Sequence, residues 1–211
     1  MTELERPRTP QRGRPASGHR SVAERTDPRV IRTAQACEQA VVELASQRPV
    51  SQITVAELAA RAGVTRATFY NHYTSPLQVL VEVLIADLER AHRLEEDRRA
   101  EDRYAAPEML RLATADVADH IERFKAIYQR AVHDPADGGV YEALVRHFTE
   151  YAFAFLARCT HPDLPDTGHQ VIALFVAHGF AGAIKAWLSD DTVTKADLVD
   201  AAVACAPVWW S

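Results

Sequence analysis

The chain has little cysteine, and its three cysteines lie far apart. Cys37, Cys159 and Cys205 form no C-x-x-C pair and no cluster with histidine, which excludes a zinc site of usual spacing and a disulfide framework. The sequence also lacks a Gly-rich phosphate loop, a G-x-S-x-G elbow and an H-E-x-x-H pair, which mark common enzyme classes. We therefore predict no catalytic residue, no cofactor and no metal, and expect a protein that is not an enzyme.

Long apolar runs are also missing from the sequence pattern. No run is judged to approach the roughly 20 residues that span a bilayer, and the N-terminus lacks the apolar core of a signal peptide. The scarcity of cysteine suits a reducing compartment. The expectation is a cytoplasmic protein with no membrane partner.

What the chain does contain is an uneven distribution of charge. Its 211 residues are 47% apolar and 25% charged, which is typical of a globular protein of one or two domains, and the net charge is −5. Residues 1–80 hold 11 basic and 7 acidic residues, whereas residues 81–211 hold 13 basic and 22 acidic ones. The first part is thus +4 and the second −9, so the N-terminal part suits a polyanion.

Almost every apolar pattern after residue 26 has helical spacing, and no alternating strand pattern or hairpin signal occurs. This predicts an all-α fold. We expect a flexible Arg-rich tail over residues 1–26, a DNA-binding domain over 27–76 and a helical domain over 77–211. The expected helices cover residues 28–48, a short segment from 55, 66–73, 77 into the charged run 95–103, 110–128, 141–155, 170–188 and 194–209.

The most informative segment is residues 53–73. Thr54 and Glu57 have the spacing of a capping box, Gly63 supplies a left-handed residue that ends the second helix, and Thr65 caps a third. This is the layout of a helix-turn-helix, in which the third helix faces a DNA major groove. The alternative is a helical hairpin that only packs.

These residues resemble the TetR-type bacterial transcriptional regulators. The similarity rests on Asp27-Pro28-Arg29, Ile53-Thr54-Val55, Ala59, Ala62-Gly63-Val64 and the run from Ala67 to Tyr73, and it covers residues 27 to 84. It implies an N-terminal three-helix helix-turn-helix domain that reads DNA, a fourth helix that links the domains, and C-terminal helices that form a ligand pocket and a homodimer interface.

The resemblance also assigns DNA contacts. Thr54, Tyr70 and His72 would bind phosphates. Thr65, Arg66 and Thr68 would lie nearest base edges, with Arg66 suited to a bidentate guanine contact. Asn71 and Tyr73 are expected to face outward with them. Where members commonly place a phosphate-binding lysine, this chain has Thr74-Ser75-Pro76, so that contact would pass to backbone N–H groups.

The tail offers a second DNA contact. Arg12-Gly13-Arg14-Pro15 resembles the core of an AT-hook, whose arginines lie in a narrow minor groove. The alternative is an Arg-rich tail that supplies only nonspecific attraction.

The second half of the chain supplies candidates for a dimer interface and a pocket. The 170–188 helix has a stripe of small residues that lets another helix approach, and the last helix is expected to join it. The alternative is a monomeric core. The predicted interface residues are Phe175, Gly179, Gly182, Ala183, Ala186, Trp187, Leu198, Ala202 and Trp209.

Aromatic residues and histidines at helical spacing suggest a pocket for a small, largely apolar effector, although core packing is the ordinary role of such residues. The predicted lining is His120, Phe124, Tyr128, Tyr141, Phe148, Tyr151, Phe175 and His178. Together these features predict a ligand-responsive repressor that binds a pseudo-palindromic double-stranded DNA operator as a homodimer. The alternative is a ligand-binding module that has lost sequence-specific DNA binding.

Overall fold

The computed structural model describes residues 28–101, 104–166 and 168–210, and these residues form α-helices, three short 3₁₀ turns and no strand. The predicted all-α fold is confirmed. The helices are α1 Pro28–Ala45, α2 Val55–Arg61, α3 Arg66–Tyr70, α4 Pro76–Ala100, α5 Ala106–Arg123, α6 Lys125–His133, α7 Gly138–Leu156, α8 His169–Ser189 and α9 Lys195–Cys205. The basic tail with Arg12 and Arg14, and Asp27 of the Asp27-Pro28-Arg29 match, lie outside the described residues.

Local caps set the starts of four helices. The side chains of Thr54, Thr65, Ser75 and Thr194 each accept a hydrogen bond from the backbone N–H three residues later. Such caps contribute about 1 kcal/mol each, and their short sequence range is why they are predictable from the sequence.

Three helices and the start of α4 form the N-terminal unit. α1 packs against α2 and α4, and α2 packs against α3. Val41, Leu58 and Phe69 are completely buried between them. The body is a helical bundle in which α7 packs along α8 while α5 packs against both α4 and α9. Leu88, Ile121 and Ile184 are buried in its core.

A buried carboxylate joins the N-terminal unit to the body. Asp137, in the 3₁₀ turn Pro135–Asp137 before α7, is 4% exposed. Its two oxygens accept hydrogen bonds of 2.9 Å each from the backbone N–H groups of Val50 and Ser51. Beside this contact, a Cβ on Gly139 would meet Leu77 Cδ2 at 2.7 Å, so a larger residue there would require the Leu77 side chain to shift.

Several helix boundaries differ from the predictions. The segment expected as one helix over 110–128 divides at Phe124, where φ is −109° and ψ is 23°. No glycine or proline marks this break, so the sequence gives no local signal of it. The third helix ends at Tyr70 instead of residue 73, because the N–H of His72 bonds to Phe69 only three residues back. α9 ends at Cys205, two residues before Pro207.

α8 is more apolar than the sequence prediction allowed. Its mean hydropathy of 1.7 makes it, by length and composition, long and apolar enough to cross a membrane. This corrects the expectation that no segment of the chain reaches that length. α8 packs against α6, α7 and α9, and Ala177, Ala181 and Ile184 on its inner face are buried. α8 therefore packs on the bundle with one face, while residues such as Val171 and Phe175 on its other side are exposed.

Candidate functional site

α2 and α3 form a helix-turn-helix with a tight turn. The Thr54 hydroxyl accepts the Glu57 N–H at 3.2 Å and the Glu57 carboxylate accepts the Thr54 N–H at 3.1 Å, which completes the capping box. Gly63 has φ 69°, the left-handed conformation that glycine adopts without strain. The turn places α3 across α2, and buried Phe69 holds it there.

The outer face of α3 and the turn after it carry most of the predicted DNA contacts. The side chains of Thr65, Arg66, Tyr70 and Asn71 are exposed, as is Thr54 at the start of α2. Thr68 and His72 are half-buried. The Thr65 hydroxyl also accepts the Thr68 N–H at 3.1 Å, so it is partly used as the cap of α3.

Tyr73 does not belong to this face. It is 6% exposed and its ring packs against Phe69 with the ring centroids 5.7 Å apart. Burial raises the pKa of Tyr73, so the phenol stays neutral inside the N-terminal core. The prediction that Tyr73 faces outward was wrong, because the turn at residues 71–72 rotates the chain inward after α3 ends at Tyr70.

Arginines around the helix-turn-helix differ in their partners. Arg48 binds Glu57 at 2.7 Å, and Arg61 forms an ion pair with Glu43. No carboxylate among the described residues pairs with Arg66. The Arg66 guanidinium is therefore an exposed cation at the start of α3 that makes no internal ion pair in this part of the chain.

An apolar cavity of about 390 Å³ lies in the body between α4, α5, α7, α8 and α9. Of the predicted pocket residues, Phe148, Tyr151 and Phe175 line it. Gly179, Ala183 and Ala202, predicted for the dimer interface, also line it. Its volume lies at the small end of the roughly 300–1,000 Å³ typical of ligand pockets.

Three polar residues of the cavity were not predicted. His92, Glu95 and Thr114 line it, and Glu95 and Thr114 are each 4% exposed. Glu95 begins the charged run 95–103, a pattern that favours an exposed side chain. Glu95 lies at a helical spacing of seven from Leu88 and eleven from Leu84, both of which are buried, and that register was the available signal.

Glu95 sits in a closed hydrogen-bond arrangement. Its Oε1 accepts Arg99 Nε at 2.9 Å and Nη2 at 2.8 Å, and its Oε2 accepts the Tyr151 hydroxyl. Burial, with the nearby carboxylate, raises the pKa of Tyr151. The His92 ring stacks on Tyr151 with centroids 3.8 Å apart, and burial lowers the pKa of His92 to about 3. The imidazole is therefore neutral at pH 7.

Other predicted pocket residues belong to a separate buried network. His120 Nδ1 lies 2.7 Å from Asp87 Oδ2, and its Nε2 lies 2.7 Å from the Tyr128 hydroxyl. Burial lowers the pKa of His120 to about 3, so the neutral ring donates to Asp87 and accepts from Tyr128. Arg123 also donates to Asp87 at 2.9 Å. This network lies outside the cavity lining, which corrects the ligand assignment of His120 and Tyr128.

The other predicted pocket residues are also outside the lining. His178 is exposed on α8, while Phe124 and Tyr141 are half-buried against the core. Periodicity placed Phe124 and Tyr141 on inward helix faces and misplaced His178, and it did not show which inward faces enclose a space and which are filled by packing.

α8 presents an exposed apolar face. Val171 and Phe175 are 70% and 81% exposed, and Leu174 is also exposed. The predicted interface residues Gly179, Gly182 and Ala186 continue this face, whereas Ala183 and Ala202 are half-buried. Trp187, Leu198 and Trp209 are buried within the protomer, with Trp209 packed beside Ala152, Leu156 and Ala173. These three residues are therefore removed from the predicted interface.

Comparison with known proteins agrees with this arrangement. Residues 39–83 match the family model of the bacterial regulatory proteins of the tetR family. A curated HTH-type transcriptional regulator of Bacillus subtilis, YxbF, is 32% identical over 69 residues, which are 32% of this chain and 18% of that protein. The chain thus matches less than a fifth of the length of this relative.

Solved structures share the fold over most of the chain. A TetR-family regulator from Syntrophomonas wolfei superposes with a TM-score of 0.59 at 14% identity, covering 82% of this chain and 91% of that one. The Thermus thermophilus repressor FadR, in complex with lauroyl-CoA, gives 0.55 at 21% identity and covers 81% and 91%. NalD, a repressor of a Pseudomonas aeruginosa efflux pump, gives 0.56 at 20% identity and covers 83% and 96%.

Proposed function

We propose that the chain is a TetR-family transcriptional regulator, a homodimeric, ligand-responsive repressor of a pseudo-palindromic operator, because residues 39–83 match the family model and solved TetR-family structures share its fold. The observation that carries this proposal is the outer face of α3, where exposed Arg66 and Tyr70 follow a capped helix-turn-helix turn. The same face argues against a module that has lost DNA binding, since Arg66 has no internal ion-pair partner among the described residues.

Roles on the DNA divide by chemistry. Arg66 is proposed to donate two hydrogen bonds to a guanine edge, with Thr65 and Thr68 beside it at neighbouring bases. Thr54, Tyr70, Asn71 and His72 are proposed to bind phosphates and fix the register of α3 in the major groove. If the tail binds DNA as well, Arg12 and Arg14 are the residues proposed to enter the minor groove.

The exposed face of α8 supports dimerisation. An exposed helix face with Val171, Leu174 and Phe175 beside two glycines is unusual for a surface that stays in water. A second copy of α8 would cover it around a two-fold axis. Dimerisation places two α3 helices in successive major grooves, with half-sites about 10 base pairs or a multiple apart.

The cavity in the body supports effector control. α4 begins at Pro76, beside the N-terminal unit, and its second half contributes His92 and Glu95 to the cavity. A ligand that changes the position of α4 therefore changes the position of α3. The effector needs to favour the non-binding state by only about 1–3 kcal/mol to change operator affinity severalfold to a hundredfold. We propose a DNA-binding domain over residues 27–76 and an effector-binding and dimerisation domain over residues 77–211.

An electrophoretic mobility shift with DNA flanking the gene tests the central claim. The full-length protein is expected to retard a fragment that contains an inverted repeat and to leave a fragment with a scrambled repeat free. Equal retardation of both fragments at physiological salt would contradict sequence-specific binding. No retardation of either fragment would favour the alternative of a ligand-binding module.

A further inference from the structure

The cavity wall contains hydrogen-bonding groups that no described residue satisfies. Thr114 is 4% exposed and lines the cavity, and its hydroxyl has no hydrogen-bond partner among the described residues. His92 lines the same cavity, and the described contacts of its ring are stacking contacts with His147 and Tyr151. Neither side chain has a polar atom that is both buried and unsatisfied, so the Thr114 hydroxyl and the neutral, half-buried His92 imidazole are open to the cavity and available to a ligand.

The ionised group of the cavity is already compensated. Both oxygens of Glu95 accept hydrogen bonds, and its negative charge is balanced by Arg99 at 2.8 Å. A carboxylate ligand would approach this buried carboxylate and lose its hydration without gaining an uncompensated cation. A cationic ligand would lose its hydration beside an ion pair that is already neutral.

From these contacts we propose that the cavity binds an uncharged, largely apolar molecule with a single hydroxyl or carbonyl group, which hydrogen-bonds to Thr114 or His92. The proposal deepens the effector role given above and rests on it. The apolar part of the ligand packs against Leu110, Phe148, Val176 and Phe180, which line the rest of the cavity. Selection therefore acts on the charge of the head group, while the apolar wall supplies most of the affinity.

Three ligands with the same ten-carbon chain test the selection by charge. Isothermal titration calorimetry of the full-length protein would use 1-decanol, decanoate and decylammonium, each below its aggregation concentration at pH 7. 1-Decanol is expected to bind at least about tenfold more tightly than either ion, since burial of a charge is disfavoured far more than burial of a hydroxyl. Tighter or equal binding of decanoate or decylammonium would overturn the proposal.

Variants locate the binding to this cavity. Thr114→Val keeps the shape and removes the hydroxyl, and is expected to weaken 1-decanol binding about 2- to 12-fold. The control is Thr149→Val, because the Thr149 hydroxyl donates to the Val145 carbonyl at 2.8 Å and Thr149 does not line the cavity. If Thr114→Val and His92→Phe both bind 1-decanol like the unmodified protein, the assignment of these two groups is wrong.

Glu95→Gln tests the electrostatic part independently. It removes the negative charge and leaves Arg99 uncompensated, so decanoate binding is expected to improve while 1-decanol binding changes little. No gain in decanoate binding by a folded variant would contradict the charge argument. If none of the three ligands binds while the mobility shift still detects the operator, this ligand proposal fails and the DNA-binding proposal stands.

Discussion

At the scale of single residues, Arg66 and Tyr70 share the outer face of α3 but offer DNA different chemistry. A guanidinium can read a base edge with two hydrogen bonds, whereas a phenol contacts a phosphate that is the same in every sequence. Arg66→Ala is therefore expected to lose about 1–3 kcal/mol of binding free energy and to relax preference at one base pair. Tyr70→Phe should weaken binding evenly across sequences.

Binding to a set of operators with single base changes measures both effects. Arg146→Ala is a matched control, since it removes an exposed arginine from α7 in the body of the molecule. If Arg66→Ala and Tyr70→Phe lose the same affinity on every operator, the assignment of base recognition to Arg66 is wrong.

Gly63 has a left-handed backbone conformation, although the space around it would admit a side chain. An added Cβ would meet no atom within 4 Å, but its φ of 69° is strained for any residue with a side chain. Gly63→Ala should lower the free energy of unfolding by about 1–2 kcal/mol, measured by urea denaturation. Gly138→Ala, at an equally open position in α7 without a positive φ, should be neutral or stabilising. Equal loss in both variants would argue against backbone strain.

Residue roles were predictable where their causes are local. The capping partners of Thr54 and Thr65 lie three residues away, so the sequence contains both members of each contact. The burial of Glu95 and the separation of His120 from the cavity depend on α7 and α6, which are distant in the chain. Spacing alone identifies an inward face and does not identify its neighbours.

At the scale of helices, the contact between Asp137 and the 3₁₀ turn Val50–Gln52 fixes the position of the N-terminal unit relative to the body. Asp137→Ala leaves the buried N–H of Val50 and the part-buried N–H of Ser51 without their acceptor, and should lower the free energy of unfolding by about 1.5–3 kcal/mol. Urea denaturation measures the loss, and amide hydrogen exchange should show faster exchange at Val50 and Ser51.

Asp137→Asn retains one oxygen acceptor, so its free energy of unfolding should fall less than that of Asp137→Ala. Asp191→Ala, which removes an exposed carboxylate from the turn after α8, is the control and should change stability by less than about 0.5 kcal/mol. If amide exchange at Val50 and Ser51 is unchanged in Asp137→Ala, these hydrogen bonds do not hold the two units together.

The order of the helices among the described residues was largely visible in the sequence, while the division at Phe124 was not. Helix starts depend on caps, and the predicted caps Thr54 and Thr65 are confirmed. Ser75 and Thr194 cap α4 and α9 in the same way. The break between α5 and α6 occurs within a continuous apolar stripe, so long-range packing and not local propensity sets it.

At the scale of the whole molecule, the apolar face of α8 sets the expected oligomeric state. Val171→Asp places a charge on this face at a position that does not line the cavity. It is expected to shift the protein from dimer to monomer in sedimentation velocity and to weaken operator binding strongly, because one reading head spans one half-site. Ala126→Asp, exposed on α6, is the control. A Val171→Asp protein that remains dimeric would place the interface elsewhere.

Acid should destabilise the protein through its buried histidines. Burial lowers the folded-state pKa of His92 to about 3, so below the ordinary value near 6.5 the unfolded chain binds a proton that the folded one does not. The contribution of His92 to the free energy of unfolding is therefore fully present above pH 6.5. It falls by at most about 1.4 kcal/mol per pH unit between pH 6.5 and 3.

Denaturation midpoints measured at several pH values test this. His92→Phe is expected to lose less stability than the unmodified protein between pH 6.5 and 3. His133→Gln replaces an exposed histidine and should leave the pH dependence of stability unchanged. A His92→Phe protein with the same acid dependence as the unmodified protein would show that another group controls it.

The continuity of α4 has a mechanical consequence. At 1.5 Å per residue its 25 residues extend about 37 Å, from the reading unit to the cavity. A rigid rod of that length amplifies small rotations: a tilt of about 10° about the cavity end displaces the far end by roughly 6 Å. With two copies related by symmetry, opposed tilts would change the separation of the heads by up to roughly 12 Å, a third of the 34 Å groove repeat.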